Sequence, residues 1–408
     1  MSFPSCISKN ILALASLIII GFLIAVSVRA DNLAPKLSTA PANATSLIAP
    51  TSYAVYQRSA TNTASIPIAG RAEQSVGIVE AKATLMPPYR EGVDGKSGEF
   101  IAIAKPNGRE FRSSLEVSAG GWYSIAVRLK DTDGHIITET KIDKVGVGEV
   151  FVAAGHSFCS NFNGEHPSKA TDDRVATCVD WKDKPPVPLA FRHCDDPLRP
   201  GDANHASPWP PVGDVLVSRL HVPVLFICTG MGGTTVEGWR KGAEDPNAKV
   251  RGYGACRLTL QSITPYTGLR AIIWLGNEND LSGGPTAEVF SDNLRQIIAR
   301  TRIDSGYPDL PWLIAFDAYD PGVIKKLGPE TKLRHKERLD RGTEMVLQTV
   351  PHTYDGPQTD DLGPEFRKAD GDHFNEAGLH ELSLRFARKI TQAFFPEPVP
   401  APKLPKLP

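Results

Sequence analysis

The sequence has no excess of charge of either sign. Lysine and arginine number 45 and aspartate and glutamate 46, so the formal net charge at pH 7 is −1. A net charge this close to zero gives no reason to expect nucleic acid or an anionic membrane as a partner. Apolar residues make up 41% and charged residues 22% of the 408 residues, which is typical of a globular protein with a sizeable core.

Three signatures that identify other classes of protein are also missing. No two cysteines have the C-x-x-C spacing of a metal site. The glycine-rich segment 230–234 lacks the lysine of a phosphate-binding P-loop. The pattern G-x-S-x-G of one hydrolase class is absent, because Cys159 occupies the place of its last glycine.

The N-terminus has the pattern of an export signal. Lys9 precedes an apolar run over residues 11–26, and residues 28–30 place small side chains at the cleavage positions. The run is somewhat shorter than the ~20 apolar residues of a membrane-spanning helix. We therefore predict a signal peptide over residues 1–30 and a secreted or periplasmic protein, with an uncleaved N-terminal membrane anchor as the alternative.

The number of cysteines in an exported chain raises the question of a disulfide. Removal of the signal peptide would leave five cysteines, so at least one of them is unpaired. A disulfide is plausible among the three that fall in one long segment, and its connectivity does not follow from sequence. These three are Cys159, Cys178 and Cys194.

The pattern of the chain changes along its length. Residues 31–52 have the composition of a flexible linker, and residues 396–408 form a Pro-rich tail. Residues 53–145 show the period-two alternation of half-buried strands, with a turn at 131–134 that indicates a hairpin. We predict a small all-β sandwich domain over 53–145.

Residues 146–395 alternate short apolar runs with amphipathic segments. This alternation predicts an α/β domain with a parallel sheet covered on both faces. The strands are expected at 150–154, 222–228, 271–275 and 312–316. Helical spacing relates Phe290, Leu294, Ile297 and Ile298, and later Leu379, Leu382, Phe386, Ile390 and Phe394. Asn375 is a candidate N-cap of the last helix, and the irregular segment 161–209 is expected to border the active site.

Three residues have the pattern of a serine esterase. Ser157 follows a predicted strand, and Asp370 precedes His373 by three residues. A serine hydroxyl needs a base to take its proton, and a carboxylate beside that base fixes its tautomer. We predict Ser157 as nucleophile, His373 as base and Asp370 as its orienting acid. Asp372 is the rival carboxylate, and its adjacent position favours a solvated or structural role.

Polar groups that follow the other strands are candidates for binding the reacting carbonyl and the substrate. Ligands bind at the carboxyl ends of parallel strands, where Ser157, Gly232 and Asn277 are all expected. Backbone N–H groups of the glycine-rich segment and the Asn277 amide are candidate oxyanion donors. The candidate oxyanion donors are therefore Gly232, Gly233 and Asn277, and the predicted substrate-binding residues are His156, Thr234 and Glu278.

Four blocks in this order resemble the SGNH hydrolases, and within them the sialate O-acetylesterase and acetylxylan esterase-like carbohydrate esterases. The family's G-Q-S-N segment corresponds to residues 155–158, and its G-G-T segment to 232–234. Its W-x-Q-G-E-x-D block corresponds to 274–280, and its D-G-x-H-F block to 370–374. The resemblance covers about 146–395, and the preceding β region is similar to the sandwich of sialate esterase-like members.

The resemblance implies a three-layer α/β/α, flavodoxin-like fold that needs no metal and no organic cofactor. It assigns the roles of Ser157, His373 and Asp370 given above, and it implies that the backbone N–H groups of Ser157 and of Gly232 or Gly233 form the oxyanion hole. This chain departs from the family at four positions, where His156, Phe158, Gly276 and Asn277 replace Gln, Asn, Gln and Gly. A shifted or lost oxyanion donor would weaken catalysis without removing it.

These observations predict an exported serine esterase that removes O-acetyl groups from carbohydrate through an acetyl-enzyme. Its substrate would be a sialate or a plant or algal polysaccharide. An SGNH esterase or lipase with another acyl substrate is one alternative. A carbohydrate-binding pseudoenzyme on the same fold is the other, and the altered blocks favour it.

Overall fold

The computed structural model describes residues 45–395 apart from 107, 250, 282–283, 320–324 and 327. The predicted signal peptide, most of the predicted linker and the Pro-rich tail lie outside these residues. Among the helices of the described residues, none has both the length and the apolarity to cross a membrane.

Described residues up to 130 form strands joined by turns. These are β1 (Ser46–Ala49), β2 (Val55–Gln57), β3 (Thr63–Val76), β4 (Ile78–Leu85), β5 (Ile101–Ala104), β6 (Gly108–Ser118) and β7 (Tyr123–Lys130). β1, β3 and β6 form one antiparallel sheet, and β5, β4 and β7 pair in a second group. Alternate residues of β4 are buried, because one face of a pleated strand meets the core. β1 lies inside the stretch predicted as a linker.

Strand β8 (Ile136–Gly155) connects the two halves of the molecule. Its first part pairs with β7 in the predicted hairpin, and its last residues lie in the centre of a parallel sheet between β11 (Val224–Cys228) and β12 (Ala271–Leu275). The domain boundary predicted after residue 145 therefore falls within a continuous strand.

The parallel sheet has the order β10-β9-β11-β8-β12-β13-β14, in which only the edge strand β10 is antiparallel to its neighbour. Its remaining members are β9 (Val175–Cys178), β10 (Phe191–His193), β13 (Trp312–Phe316) and β14 (Thr353–Gln358). The strands predicted at 271–275 and 312–316 are confirmed to the residue.

Helices cover both faces of this sheet. They are α1 (Trp209–Leu220), α2 (Val236–Glu244), α3 (Tyr253–Ser262), α4 (Thr264–Thr267), α5 (Ala287–Ser305), α6 (Pro329–Thr349) and α7 (Glu376–Phe394). Phe151 and Ala153 of β8 pack in the core with α1 and α7, whereas Val150 and Val152 pack in the core with α2, α3, α5 and α6. Successive side chains of a strand point to opposite faces, so the sheet is buried on both sides between two helical layers.

Two expectations differ from the structure. The segment 161–209 is not wholly irregular, because it contains β9 and β10. Strands of four and three residues are too short to show a period in sequence. The five described cysteines are all buried and unpaired, so the disulfide considered among Cys159, Cys178 and Cys194 is not formed.

Candidate active site

Ser157 begins a 3₁₀ turn, Ser157–Cys159, directly after the end of β8. Gly155 adopts φ of 139°, a conformation that favours glycine, and a Cβ there would collide with the Leu275 carbonyl oxygen. The N–H of His156 donates to that carbonyl at 3.1 Å. The glycine therefore lets the chain turn sharply at the carboxyl edge of the sheet while it remains bonded to β12.

Asp370 and His373 form the predicted pair. The imidazole Nδ1 lies 3.0 Å from Asp370 Oδ2, and the backbone N–H groups of Asp372 and His373 donate to Oδ1. Partial burial raises the pKa of Asp370, but these hydrogen bonds and the nearby imidazole outweigh it and lower the pKa below its usual value. An ionised Asp370 holds the proton on Nδ1, which leaves Nε2 as the acceptor.

The histidine packs against the turn that carries Ser157. Its ring meets Phe158 edge-on at 5.8 Å and stacks on Phe162 at 5.4 Å between centroids. Nε2 of His373 is buried and has no hydrogen-bond partner among the described residues. No hydrogen bond joins it to Ser157 in the described part of the chain. The Ser157 hydroxyl lies instead 3.5 Å from Nδ1 of His156.

The glycine-rich loop lies beside the same turn. The N–H of Met231 donates to the Gly155 carbonyl at 2.9 Å, which fixes the loop against the end of β8. A Cβ on Gly232 would lie 2.5 Å from the Phe162 ring, so this close approach requires glycine. The N–H of Gly232 donates to the Asp202 carboxylate at 3.1 and 3.2 Å. One predicted oxyanion donor therefore already binds an anion.

Two other predicted binding groups are held by neighbouring protein groups. The Asn277 amide donates to the Ala315 carbonyl at 2.9 Å, and its oxygen accepts the Trp274 indole N–H at 2.8 Å. The Thr234 hydroxyl donates to the Met231 carbonyl and accepts from Trp239. These bonds hold the Asn277 side chain against the sheet. To donate to an oxyanion, the Asn277 amide would have to break its hydrogen bond to the Ala315 carbonyl.

His156 and Glu278 are both buried. Nε2 of His156 lies 2.7 Å from Asp317 Oδ2 and 3.9 Å from the Glu278 carboxylate. Gly233 adopts φ of 68°, and a Cβ there would meet no atom within 4 Å. Among the predicted binding residues, the structure thus brings His156 and Glu278 together beneath Ser157, whereas Gly233 lies at an open position.

Sequence reasoning missed three residues of this site: Phe162, Asp202 and Asp317. Asp317 directly follows β13, at the edge of the sheet where Ser157 and Asn277 were expected. The rule that ligands bind at the carboxyl ends of strands would have identified it. Phe162 and Asp202 belong to the segment predicted to border the site, and nothing in that segment distinguishes them from their neighbours.

Comparison with known proteins identifies the family of this chain. The chain belongs to the carbohydrate esterase family described as sialic acid-specific acetylesterase, whose model matches residues 150–392, more than half of the chain. The resemblance to SGNH carbohydrate esterases is confirmed, and membership of this family supports an esterase. A search of curated protein sequences gave no match.

Solved structures include one of similar fold with a TM-score above 0.5. A carbohydrate acetylesterase from Xanthomonas citri is similar over 86% of this chain and 76% of its own, with 18% identity and a TM-score of 0.53. A protein from Arabidopsis thaliana is similar over 60% of this chain and 98% of its own, with 15% identity and a TM-score of 0.44. A lipase/acylhydrolase from Enterococcus faecalis is similar over 61% of this chain and 98% of its own, with 17% identity and a TM-score of 0.35. The α/β fold predicted from sequence is confirmed.

Proposed function

We propose that this protein is an exported serine esterase that removes O-acetyl groups from carbohydrate. The observation that carries the proposal is the Asp370–His373 pair, which packs against the turn of Ser157 in a member of a carbohydrate esterase family. The family description and the Xanthomonas citri relative both name acetylesterases. Export rests on the sequence of residues 1–30.

In this proposal His373 Nε2 takes the proton of Ser157 as its Oγ attacks the acetyl carbonyl. The tetrahedral intermediate collapses with breakage of the bond to the sugar oxygen, which leaves with the proton from His373. Water activated by the same nitrogen then releases acetate from the acetyl-enzyme. Among the described residues the Ser157 hydroxyl lies 3.5 Å from Nδ1 of His156 and makes no hydrogen bond to His373, and catalytic hydrogen bonds commonly tighten only when substrate is bound.

The oxyanion of the intermediate would be bound by the N–H groups of Ser157 and of Gly232 or Gly233. Phe162 is half-buried beside these groups, and its ring offers an apolar face for a sugar. Thr234 and Glu278 stay predicted substrate-binding residues, although their described contacts are with the protein itself. The His156 side chain was also predicted to bind substrate, but it has no exposed surface with which to do so.

The test is acetate release from p-nitrophenyl acetate, acetylated xylan and O-acetylated sialic acid. Ser157→Ala and His373→Ala are each expected to abolish turnover, while Ser59→Ala, an exposed turn serine, leaves it unchanged. Equal activity in wild type and Ser157→Ala would contradict the proposal. The relative rates on the two carbohydrates decide between sialate and plant or algal polysaccharide.

A second candidate is a carbohydrate-binding pseudoenzyme on the same fold. The Asp202 carboxylate on the Gly232 N–H favours it, because an oxyanion would have to displace a charged group. Titration of wild type with acetylated oligosaccharides separates the two: binding without acetate release supports the pseudoenzyme. Turnover of p-nitrophenyl esters with longer acyl chains but not of acetylated sugars would indicate an esterase or lipase with another substrate.

A further inference from the structure

A buried histidine–carboxylate pair lies directly behind the candidate nucleophile. His156 and Asp317 have no exposed side-chain surface, and their atoms Nε2 and Oδ2 are 2.7 Å apart. His156 follows β8, Asp317 follows β13, and both lie at the edge of the sheet that carries Ser157. Buried charged groups are costly unless they are paired, so such a pair in this place calls for a role.

The surrounding hydrogen bonds fix where the proton of this pair lies. Asp317 Oδ2 accepts the backbone N–H of Asn277 at 3.0 Å and that of Glu278 at 3.3 Å. The Glu278 N–H lies 3.3 Å from both Oδ2 and Nε2 and does not decide between them. Nδ1 of His156 accepts the Phe158 N–H, so the ring proton is on Nε2, which donates to Asp317 Oδ2 across the 2.7 Å contact. The 3.3 Å approach of the Glu278 N–H to Nε2 is then not a hydrogen bond, since that nitrogen has no free lone pair.

With the proton on Nε2, the other ring nitrogen is an acceptor that faces the serine turn. Nδ1 accepts the backbone N–H of Phe158 at 3.3 Å and lies 3.5 Å from Ser157 Oγ. The imidazole therefore caps the first turn of the 3₁₀ segment and offers the serine hydroxyl an acceptor. Asp317 also receives N–H groups from the loop after β12, so one carboxylate joins the ends of three strands.

We propose that His156 and Asp317 are positioning residues that fix the Ser157 turn and hold the resting serine hydroxyl. The proposal rests on the proposed esterase function of Ser157. The order serine–imidazole–carboxylate is that of a triad, but His156 is not assigned the proton transfer. It is wholly buried and cannot deliver a proton to a departing sugar, whereas His373 is partly exposed.

This role accounts for the departure from the family's glutamine at residue 156. A glutamine offers one acceptor and one donor, as does the neutral imidazole of His156. His156 uses its acceptor for the serine turn and its donor for Asp317, which a shorter apolar side chain could not do. The His156–Asp317 pair thus provides the acceptor for the Ser157 turn and the carboxylate that fixes the orientation of the imidazole.

The first test does not depend on turnover. In ¹⁵N spectra of histidine-labelled protein, the His156 signals are assigned by their loss in His156→Gln. We expect the Nε2-protonated tautomer and a shifted Nδ1 resonance in Ser157→Ala. A ring protonated on Nδ1, or an Nδ1 resonance unchanged in Ser157→Ala, would overturn the proposal. Because this result needs no activity, an inactive wild type would contradict the proposed function and not this inference.

The second test separates positioning from stability. The variants are His156→Leu, His156→Gln and Asp317→Asn, with His193→Gln as matched control because His193 forms a 2.7 Å pair with Asp195 at the edge strand. Active sites are counted by phosphonylation, so that kcat refers to folded protein. A misplacement of about 1 Å can cost ~10²-fold. We expect His156→Leu to lose ~10²-fold in kcat with KM within about threefold, and His156→Gln to recover most of it. A loss confined to the melting temperature and the active fraction would show a structural role alone and refute the proposal.

Discussion

The Asp202 side chain occupies one donor of the candidate oxyanion hole and would compete with a bound oxyanion. Its carboxylate accepts the Gly232 N–H at 3.1 and 3.2 Å, while its backbone carbonyl accepts from Ser160 and Asn161. The backbone contacts hold the loop in place without help from the side chain. Asp202→Ala therefore frees the N–H of Gly232 and leaves the loop anchored.

The size of the effect follows from the bond that the oxyanion must displace. A hydrogen bond to a charged group contributes about 1.5–3 kcal/mol. Since each 1.36 kcal/mol is tenfold in rate, removal of the competing carboxylate would raise kcat by roughly 10- to 150-fold. Repulsion between carboxylate and oxyanion, about 4 kcal/mol at 4 Å and an effective dielectric constant of 20, acts in the same direction.

The assay is the hydrolysis of p-nitrophenyl acetate, which has no sugar for Asp202 to bind. Asp202→Ala is expected to raise kcat, and Asp202→Asn less so, because its amide oxygen still accepts the N–H without charge. Asp180→Asn is the control, since Asp180 forms an exposed ion pair in the same segment. A kcat for Asp202→Ala equal to or below that of wild type would refute the assignment of Gly232 as oxyanion donor.

Three further predictions concern single carboxylates and one helix cap. Asp370→Asn is expected to lower kcat by ~10²–10⁴-fold, because His373 loses the partner that fixes its tautomer. Asp372→Asn is the control. An equal loss of kcat in Asp372→Asn would show that this rival carboxylate is the orienting acid. Burial raises the pKa of Asp196 to about 6, against hydrogen bonds from Ser168 and Ser207 that lower it. The folded state therefore binds the extra proton between about pH 4 and 6, and its free energy of unfolding falls across that window as pH rises, by at most about 3 kcal/mol. Denaturant unfolding of Asp196→Asn at several pH values should lack this fall, and a pH dependence equal to wild type would contradict the reasoning. Asn375 Oδ1 accepts the Gly378 N–H at 2.9 Å, so Asn375→Ala should cost about 1 kcal/mol in unfolding free energy, and no change would show that the cap contributes nothing.

Local patterns gave the parts of the fold that depend on local physics. Continuous apolar runs predicted β12 and β13. A strand that is buried on both faces is apolar throughout, so its ends coincide with the ends of the apolar run. The N-cap of α7 was predicted from Asn375 alone, since capping depends on one side chain and the next turn. The Asp370–His373 contact was also local, because one tight turn joins the two residues.

The features of the site that could not be predicted from the sequence depend on contacts between segments that are far apart in the chain. The partner of His156 lies just after another strand, 161 residues away in the sequence, and no local pattern connects them. Asn277 was predicted to face the oxyanion, but the indole of Trp274 and the Ala315 carbonyl hold its amide, which only the packed sheet reveals. The hold of Asp202 on Gly232 likewise joins a loop and a turn that sequence leaves unrelated.

The position of Ser157 depends on the register of strand β8 against its neighbouring strands. The early residues of β8 pair with β7, with irregularities in the register, and its last residues pair with β11 and β12. Because side chains alternate along a strand, a shift of one residue would send Val152 into the layer of Phe151 and turn Ser157 to the wrong side. The pairing of residues 149–155 with β11 and β12 fixes this end of the strand. A residue inserted there would displace Ser157, whereas one inserted in the exposed hairpin loop at 131–135 would lengthen the loop and leave the nucleophile in place.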